Sequence, residues 1–150
     1  MKIIHPEKEI SVETIDIDDK NIKMAEKYWK KAQVDEIIKF HKEDSKIFLS
    51  RLIEKQTNFF FYDFVLIDCD KSSYSINYEL SLGLLKPGGL LLLDNTLFKG
   101  LKFNDDPSVS SKFKTQIDSL SELNLKIAQD HRVSALVLPI SDGFTICIKK

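Results

Sequence analysis

Cysteine is nearly absent: Cys69 and Cys147 are the only two in 150 residues. They offer neither a disulfide framework nor metal-ligand spacing, and both lie in or beside apolar runs that read as strands. A reducing, intracellular compartment fits that usage. Glycine is scarce, five residues in all, and none precedes Gly83. A Gly-x-Gly-x-x-Gly turn ahead of Asp16 is therefore excluded, and with it the nicotinamide-binding reading that an acidic strand end would otherwise invite. An excess of one charge is missing too, because 22 basic and 23 acidic residues are scattered to a net charge of −1. That removes the electrostatic case for nucleic acid or an anionic membrane and leaves small ligands or protein partners. No apolar run approaches the ~18 residues needed to cross a bilayer, and residues 1–9 hold no apolar core of signal-peptide length. The chain is expected to be soluble and cytoplasmic. His5, His41 and His131 share no spacing, so no chemistry is assigned to them.

What the chain does have is 43% apolar residues, enough for a single domain with a real core over residues 1–150. Two short apolar runs organise it. Phe64, Val65, Leu66 and Ile67 lead into Asp68, and Leu90, Leu91, Leu92 and Leu93 lead into Asp94 and Asn95. Runs of this kind, bounded by polar residues and a Pro-Gly-Gly turn, read as strands buried on both faces of a parallel sheet. The spacing between Asp68 and Asp94 leaves room for a helix. Both carboxylates would then emerge at the same C-terminal sheet edge, where open α/β sheets bind ligands.

The remaining units follow in order. Residues 12–17 alternate as a strand; Asp18 and Asp19 then cap a helix with Ile22, Ala25 and Trp29 on one stripe and Met24 and Tyr28 beside it. Residues 36–41 read as a second strand, and Asp44 and Ser45 cap a helix carrying Phe48, Leu49, Leu52 and Ile53. The central unit is a strand over 63–68, a helix over about 73–85, a turn over 86–89 and a strand over 90–94. Residues 96–109 lack periodicity and form a loop that could cover a site. Phe113, Ile117, Leu120 and Leu123 mark a further helix, and strands over 132–139 and 144–149 flank Asp142 and Gly143, a hairpin signal. The aromatic run 58–62 is most simply core, with an exposed association patch as the alternative for part of it; Trp29 and Tyr28 are core by default, with contact to another subunit as the alternative. The pattern predicts a three-layer α/β sheet, mostly parallel, with a C-terminal antiparallel hairpin.

The ordered set of residues 14–18, 43–45, 62–71, 84–90, Asp94 with Asn95, and 138–143 resembles the class I methyltransferases that use S-adenosylmethionine. It is most similar to the divalent-cation-dependent O-methyltransferases of the caffeoyl-CoA and catechol type. That resemblance implies a Rossmann-like methyltransferase sheet and gives named roles. Asp68, Asp94 and Asn95 match oxygen ligands of a divalent metal, Mg²⁺ or else Mn²⁺ or Ca²⁺. Lys71 matches the general base that takes the hydroxyl proton from a small hydroxylated, catechol-like acceptor. A lysine needs a nearby cation or desolvation for that work. Asp16 matches the acid that accepts the ribose hydroxyls, Asp44 and Ser45 match adenine-side contacts, and Asp68 also borders the cofactor.

Departures from the family pattern are equally specific. Glu43 and Ser141 stand where the family usually has glycine. The family opens its sheet with a strand and a glycine-rich turn that wraps the methionine part of the cofactor, whereas only fifteen residues precede Asp16 here. The resemblance thus implies an N-terminally truncated domain lacking its first strand, which in the family lies between the strands ending at Asp16 and Asp68. Direct pairing of those two strands, or a partner chain filling the gap, is expected, because buried unpaired backbone groups are costly. Two functions are carried forward: an S-adenosylmethionine- and metal-dependent O-methyltransferase, incomplete as this chain, or a non-catalytic methyltransferase-like remnant that serves binding or assembly. Homo-oligomerisation stays open.

Overall fold

The computed structural model describes residues 10–55, 62–98, 100, 111 and 113–150. The chain divides into two compact units, residues 1–48 and 49–150. No helix among the described residues is long and apolar enough to cross a membrane.

The first unit is built on a parallel pair, β1 (Val12–Asp16) and β2 (Ile38–Lys42), in register from Val12 opposite Ile38 to Asp16 opposite Lys42. Helix α1 (Ile22–Ala32) connects them and ends at Gln33, whose φ of 57° places it in the left-handed region that closes helices. The second strand begins later than its sequence pattern suggests, because residues 35–37 take a single 3₁₀ turn. The default placement of Tyr28 in a core is corrected: no residue of α1 is buried, and Tyr28 is exposed. Two strands present too narrow an apolar surface to bury a whole helix stripe.

Helix α2 (Ser45–Glu54) leads into the second unit, a four-stranded sheet in the order β3 (Tyr62–Ile67), β4 (Leu85–Leu93), β6 (Phe144–Lys149), β5 (Val133–Leu138). β3 and β4 are parallel, and β4–β6 and β6–β5 are antiparallel. The hairpin expected at Asp142 and Gly143 is present. Between β3 and β4 runs α3 (Tyr74–Leu84), and α4 (Lys114–Gln129) precedes β5. The turn expected over 86–89 lies inside β4 as an irregularity: the ladder jumps from Tyr62 opposite Leu85 to Phe64 opposite Leu90. Gly88 takes a φ of 77° there, which glycine tolerates at no steric cost.

The helix-to-strand junction has no loop to solvate the end of α3. Lys149 Nζ donates to the Leu82 and Leu85 carbonyl oxygens at 2.9 and 2.8 Å, satisfying acceptors left over where the helix stops. The core lies on one face of this sheet, where Tyr74, Tyr78 and Leu82 of α3 and Leu120, Leu123 and Ile127 of α4 meet Ile67, Leu91, Leu93, Val133 and Cys147. Each fully buried leucine contributes about 1.5–3 kcal/mol by removal from water. Cys147 is fully buried and desolvation pushes its thiol up to about 11, so it behaves as a small apolar side chain.

The strands ending at Asp16 and Asp68 belong to separate sheets. Direct pairing, one of the two outcomes expected for the gap, is therefore not found among the described residues. Pairing is not compelled where water reaches the strand, and Phe64 and Leu66 of β3 are both about half exposed. The aromatic run 58–62 lies outside the described residues except for Tyr62, which packs partly buried against the core. The loop read over 96–109 also falls largely outside them.

Candidate functional site

The ladder between β3 and β4 is completed by the Asp94 N–H, which donates to the Ile67 carbonyl at 3.1 Å. That bond brings the two strand ends level and sets Asp68 and Asp94 on one edge. After Asp68 the chain enters a 3₁₀ turn, Lys71–Ser73, fixed by Asp70. The Asp70 carboxylate accepts from Ser72 N–H at 3.0 Å, from the Ser72 hydroxyl and from the Ser73 hydroxyl at 2.5 Å. Asp70 is thus committed to holding the turn, through one backbone N–H and two serine hydroxyls, and that turn aims Lys71 back across the strand ends.

Lys71 is the hub of the edge. Its Nζ donates to Asn95 Oδ1 at 2.9 Å and to the Tyr74 hydroxyl at 2.6 Å, lies 4.0 Å from Asp68 Oδ1, and sits 4.3 Å from the centre of the Tyr74 ring. The Tyr74 hydroxyl in turn donates to the Asp94 carbonyl at 2.8 Å. Tyr74 is fully buried, and desolvation pushes its phenol well above the ordinary range, so it stays a donor. Asn95 takes a φ of 55°, and both its backbone N–H and its side-chain amide donate to Asp94 Oδ1, at 2.6 and 3.1 Å. Asparagine is among the few residues that tolerate this conformation.

The segment after Asn95 is fastened to the hairpin. Thr96 and Leu97 donate their N–H groups to the Gly143 and Asp142 carbonyls at 3.0 and 2.9 Å, and the Thr145 hydroxyl donates to the buried Thr96 hydroxyl at 2.8 Å. Gly143 has a φ of 85°, and a Cβ there would lie 2.4 Å from Leu97 Cγ.

Of the residues singled out from the sequence, Asp68, Lys71, Asp94 and Asn95 come together on this edge of the second unit. Asp16, Asp44 and Ser45 lie in the first unit. There the Glu43 N–H donates to the Asp16 carbonyl at 3.1 Å, placing 43–45 beside the end of β1. Asp16 Oδ1 accepts from Asp18 N–H and Asp44 Oδ1 from Lys46 N–H, at 2.9 and 2.8 Å. Both carboxylates thus also do local turn and helix-start work.

Tyr74 went unread in the sequence although the signal was there: an aromatic three residues beyond Lys71 shares its side of a helical turn. A second cluster also escaped. Arg132 bridges Glu79 and Asp130, Lys126 pairs with Glu79 at 2.7 Å, and the Tyr78 hydroxyl donates to Asp130 at 2.9 Å. This cluster joins α3, α4 and the connection that leads from α4 into β5.

As a cation site the edge offers two carboxylates and an amide oxygen. No group of three or more His, Cys, Asp or Glu residues among the described ones is placed to hold a metal. An all-oxygen set with few protein ligands suits a hard cation that keeps its own waters. The Lys71 ammonium already lies within reach of Asp68 Oδ1 and Asn95 Oδ1, so a positive charge is stabilised there.

Residues 4–150 match the family model described as O-methyltransferase. The chain is 41% identical over 132 residues to a Dictyostelium discoideum protein named probable caffeoyl-CoA O-methyltransferase 3, covering 82% of this chain and 52% of that one. It is 33% identical over 134 residues to the caffeoyl-CoA O-methyltransferase of Medicago sativa, covering 89% and 54%. The chain therefore spans about half the length of the curated relatives it matches. An O-methyltransferase from Bacillus cereus, solved in complex with SAH, superposes with a TM-score of 0.74 at 25% identity, covering 93% of this chain and 63% of that one. A structure of a putative caffeoyl-CoA O-methyltransferase from Staphylococcus aureus has the same fold, with a TM-score of 0.75 at 21% identity over 94% of this chain and 65% of the other.

Proposed function

This chain belongs to the O-methyltransferase family, and on that premise we propose that it carries the metal-and-base edge of an enzyme methylating a small hydroxylated, catechol-like acceptor. The observation that carries the proposal is the convergence of Lys71 Nζ with Asp68 Oδ1 and Asn95 Oδ1 at the ends of two parallel strands. In this proposal Asp68, Asp94 and Asn95 would hold a divalent cation, Mg²⁺ by preference or Mn²⁺ or Ca²⁺. When bound, S-adenosylmethionine supplies the methyl group and the cation lowers the pKa of the acceptor hydroxyl. Lys71 Nζ would take the hydroxyl proton after its ammonium has released one to solvent. Tyr74 keeps that nitrogen on the strand-end side, and Asn95, fixed by Asp94, orients the acceptor oxygen. Alignment of the reacting atoms then provides most of the acceleration. By the family resemblance Asp16 would accept hydrogen bonds from the ribose hydroxyls, Asp44 and Ser45 would contribute on the adenine side, and Asp68 would also contact the cofactor.

A second reading, a methyltransferase-like domain that binds without turnover, is favoured by one fact: no glycine occurs before Gly83, so no glycine-rich cofactor turn lies within residues 1–82. Calorimetric titration with S-adenosylmethionine, with and without Mg²⁺, separates the two. Weak or undetectable binding is expected of the 150-residue chain by itself. Micromolar affinity would overturn the importance given to the glycine-rich turn, and Mg²⁺-dependent methylation of a catechol would exclude the non-catalytic reading.

A further inference from the structure

One buried acceptor on α4 has no donor among the described residues. Asn124 donates its side-chain N–H to the Thr96 carbonyl at 2.9 Å. That contact settles which way the amide faces, because a carbonyl oxygen only accepts and a flipped Asn124 would set oxygen against oxygen. Asn124 Oδ1 is sequestered from solvent and meets no hydrogen-bond donor. A buried acceptor left so is costly, and native proteins leave few of them. Asn124 is also one wall of a cavity of about 80 Å³, formed between α4 and the segment after Asn95. Thr96 and Ser121 are its other polar walls, and Leu97, Ile117 and Leu120 are among its apolar ones. A single water needs only about 10–15 Å³ of such space, so the cavity admits a larger molecule. No charged side chain lines it, and an ion without a partner buries badly. The lining calls for a neutral molecule with one donor and an apolar remainder.

We propose that this cavity binds a small neutral hydroxylated molecule, an alcohol or a single phenol ring, whose O–H donates to Asn124 Oδ1. The apolar body of the ligand lies against Leu97, Ile117 and Leu120, and the Ser121 hydroxyl, three residues before Asn124 on the same helix, offers the ligand oxygen a second partner. Occupancy reaches the strand ends through one side chain. The amide that receives the ligand also holds the Thr96 carbonyl, and Thr96 directly follows Asn95. A donor on Oδ1 polarises the amide and strengthens its N–H bond to Thr96. The site uses none of the oxygen donors of Asp68, Asp94 or Asn95, so the inference stands whether or not the strand-end edge performs methyl transfer.

The test is a nitrogen-15 NMR titration of the 150-residue chain with phenol, and with benzene as the control that lacks a donor. Phenol should give saturable shifts at the Asn124 side-chain amide and the backbone of residues 117–124, with a dissociation constant on the order of 1 mM. Benzene should bind roughly threefold or more weakly. Asn124→Leu removes the acceptor at similar volume, so phenol and benzene should then bind alike. If that variant does not fold for want of a donor to the Thr96 carbonyl, Ser121→Leu fills the cavity from the same helix and should abolish binding of both. Repeating the titration with catechol, with and without Mg²⁺, tells two sources of the hydroxyl apart: a separate ligand binds equally in both, whereas an acceptor reaching in from the strand ends binds more tightly with the ion. Absence of saturable shifts at residues 117–124, which entry of water alone would give, overturns the proposal. So does equal affinity of the parent for phenol and benzene, or unchanged phenol binding in Ser121→Leu.

Discussion

Lys71 Nζ stands 2.9 Å from Asn95 Oδ1 and 4.0 Å from Asp68 Oδ1. One ammonium group thus occupies the neighbourhood where three oxygen donors would receive a divalent ion. A divalent ion held there as proposed would compete with this lysine for Asn95.

Binding of Mn²⁺, followed by the spin-resonance signal of the free ion, should therefore respond with opposite signs to two kinds of substitution. Asp94→Asn should weaken binding by on the order of tenfold, about 1.4 kcal/mol. Lys71→Met should tighten it. Two unit charges 4 Å apart at an effective dielectric of 20 repel by about 4 kcal/mol, and exposure of Asp68 to salt reduces this to a few-fold in affinity. Weaker Mn²⁺ binding in Lys71→Met would contradict the competition.

Tyr74→Phe removes a buried hydroxyl that serves two partners. The Asp94 carbonyl loses its donor and Lys71 loses an acceptor, so a cost of about 1–3 kcal/mol is expected in urea unfolding. A double-mutant cycle with Lys71→Met should give a non-zero coupling, because the two side chains are in direct contact. Strict additivity would mean that the contact does not form in solution.

Gly143→Ala should destabilise by about 1–3 kcal/mol, because the new Cβ meets Leu97 and alanine is strained at a φ of 85°. The damage should be local as well as global. Exchange at the amides of Thr96 and Leu97, which bond to this turn, should quicken more than exchange in β5.

Acid stability should depend on Asp130. Hydrogen bonds from Arg132 hold its carboxyl well below the usual carboxylate range. A depressed folded-state pKa means that the stabilisation is fully present above the unfolded value of about 3.9 and is lost as pH falls from there toward the folded value. Asp130→Asn should cost about 1–3 kcal/mol at pH 7. The gap between variant and parent should close as urea unfolding is repeated from pH 5 down to pH 2. A gap independent of pH would remove Asp130 from the acid transition.

Much of this was legible because burial and chemistry alternate so sharply along the chain. The runs ending at Asp68 and Asp94 are β3 and β4, and the β5–β6 hairpin turns where Asp142 and Gly143 signalled it, with Ser141 and Gly143 taking the positive φ values of its connection. Period and turn signals are local, and the misreadings are where non-local geometry decides. Pro87, Gly88 and Gly89 carry turn residues, yet β4 passes through them because Tyr62 pairs with Leu85 before the ladder jumps. Tyr28 has the helical spacing of a core residue but no surface wide enough to cover it. The cluster of Glu79, Lys126, Asp130 and Arg132 joins residues from two helices and a connection, and nothing in their separate surroundings announces it. Phe64 and Leu66 read as buried on both faces because an apolar run implies a covering layer; the strand is where it was expected, but both side chains are about half exposed.

The buried hydroxyl pair of Thr96 and Thr145 has one more effect. With the Thr96 and Leu97 amides also bonded to the hairpin turn, no hinge is available between Leu93 and Leu97. The end of the edge that carries Asp94 and Asn95 is therefore braced against the hairpin through Thr96, Leu97 and Thr145, so that strain in the hairpin turn reaches both side chains.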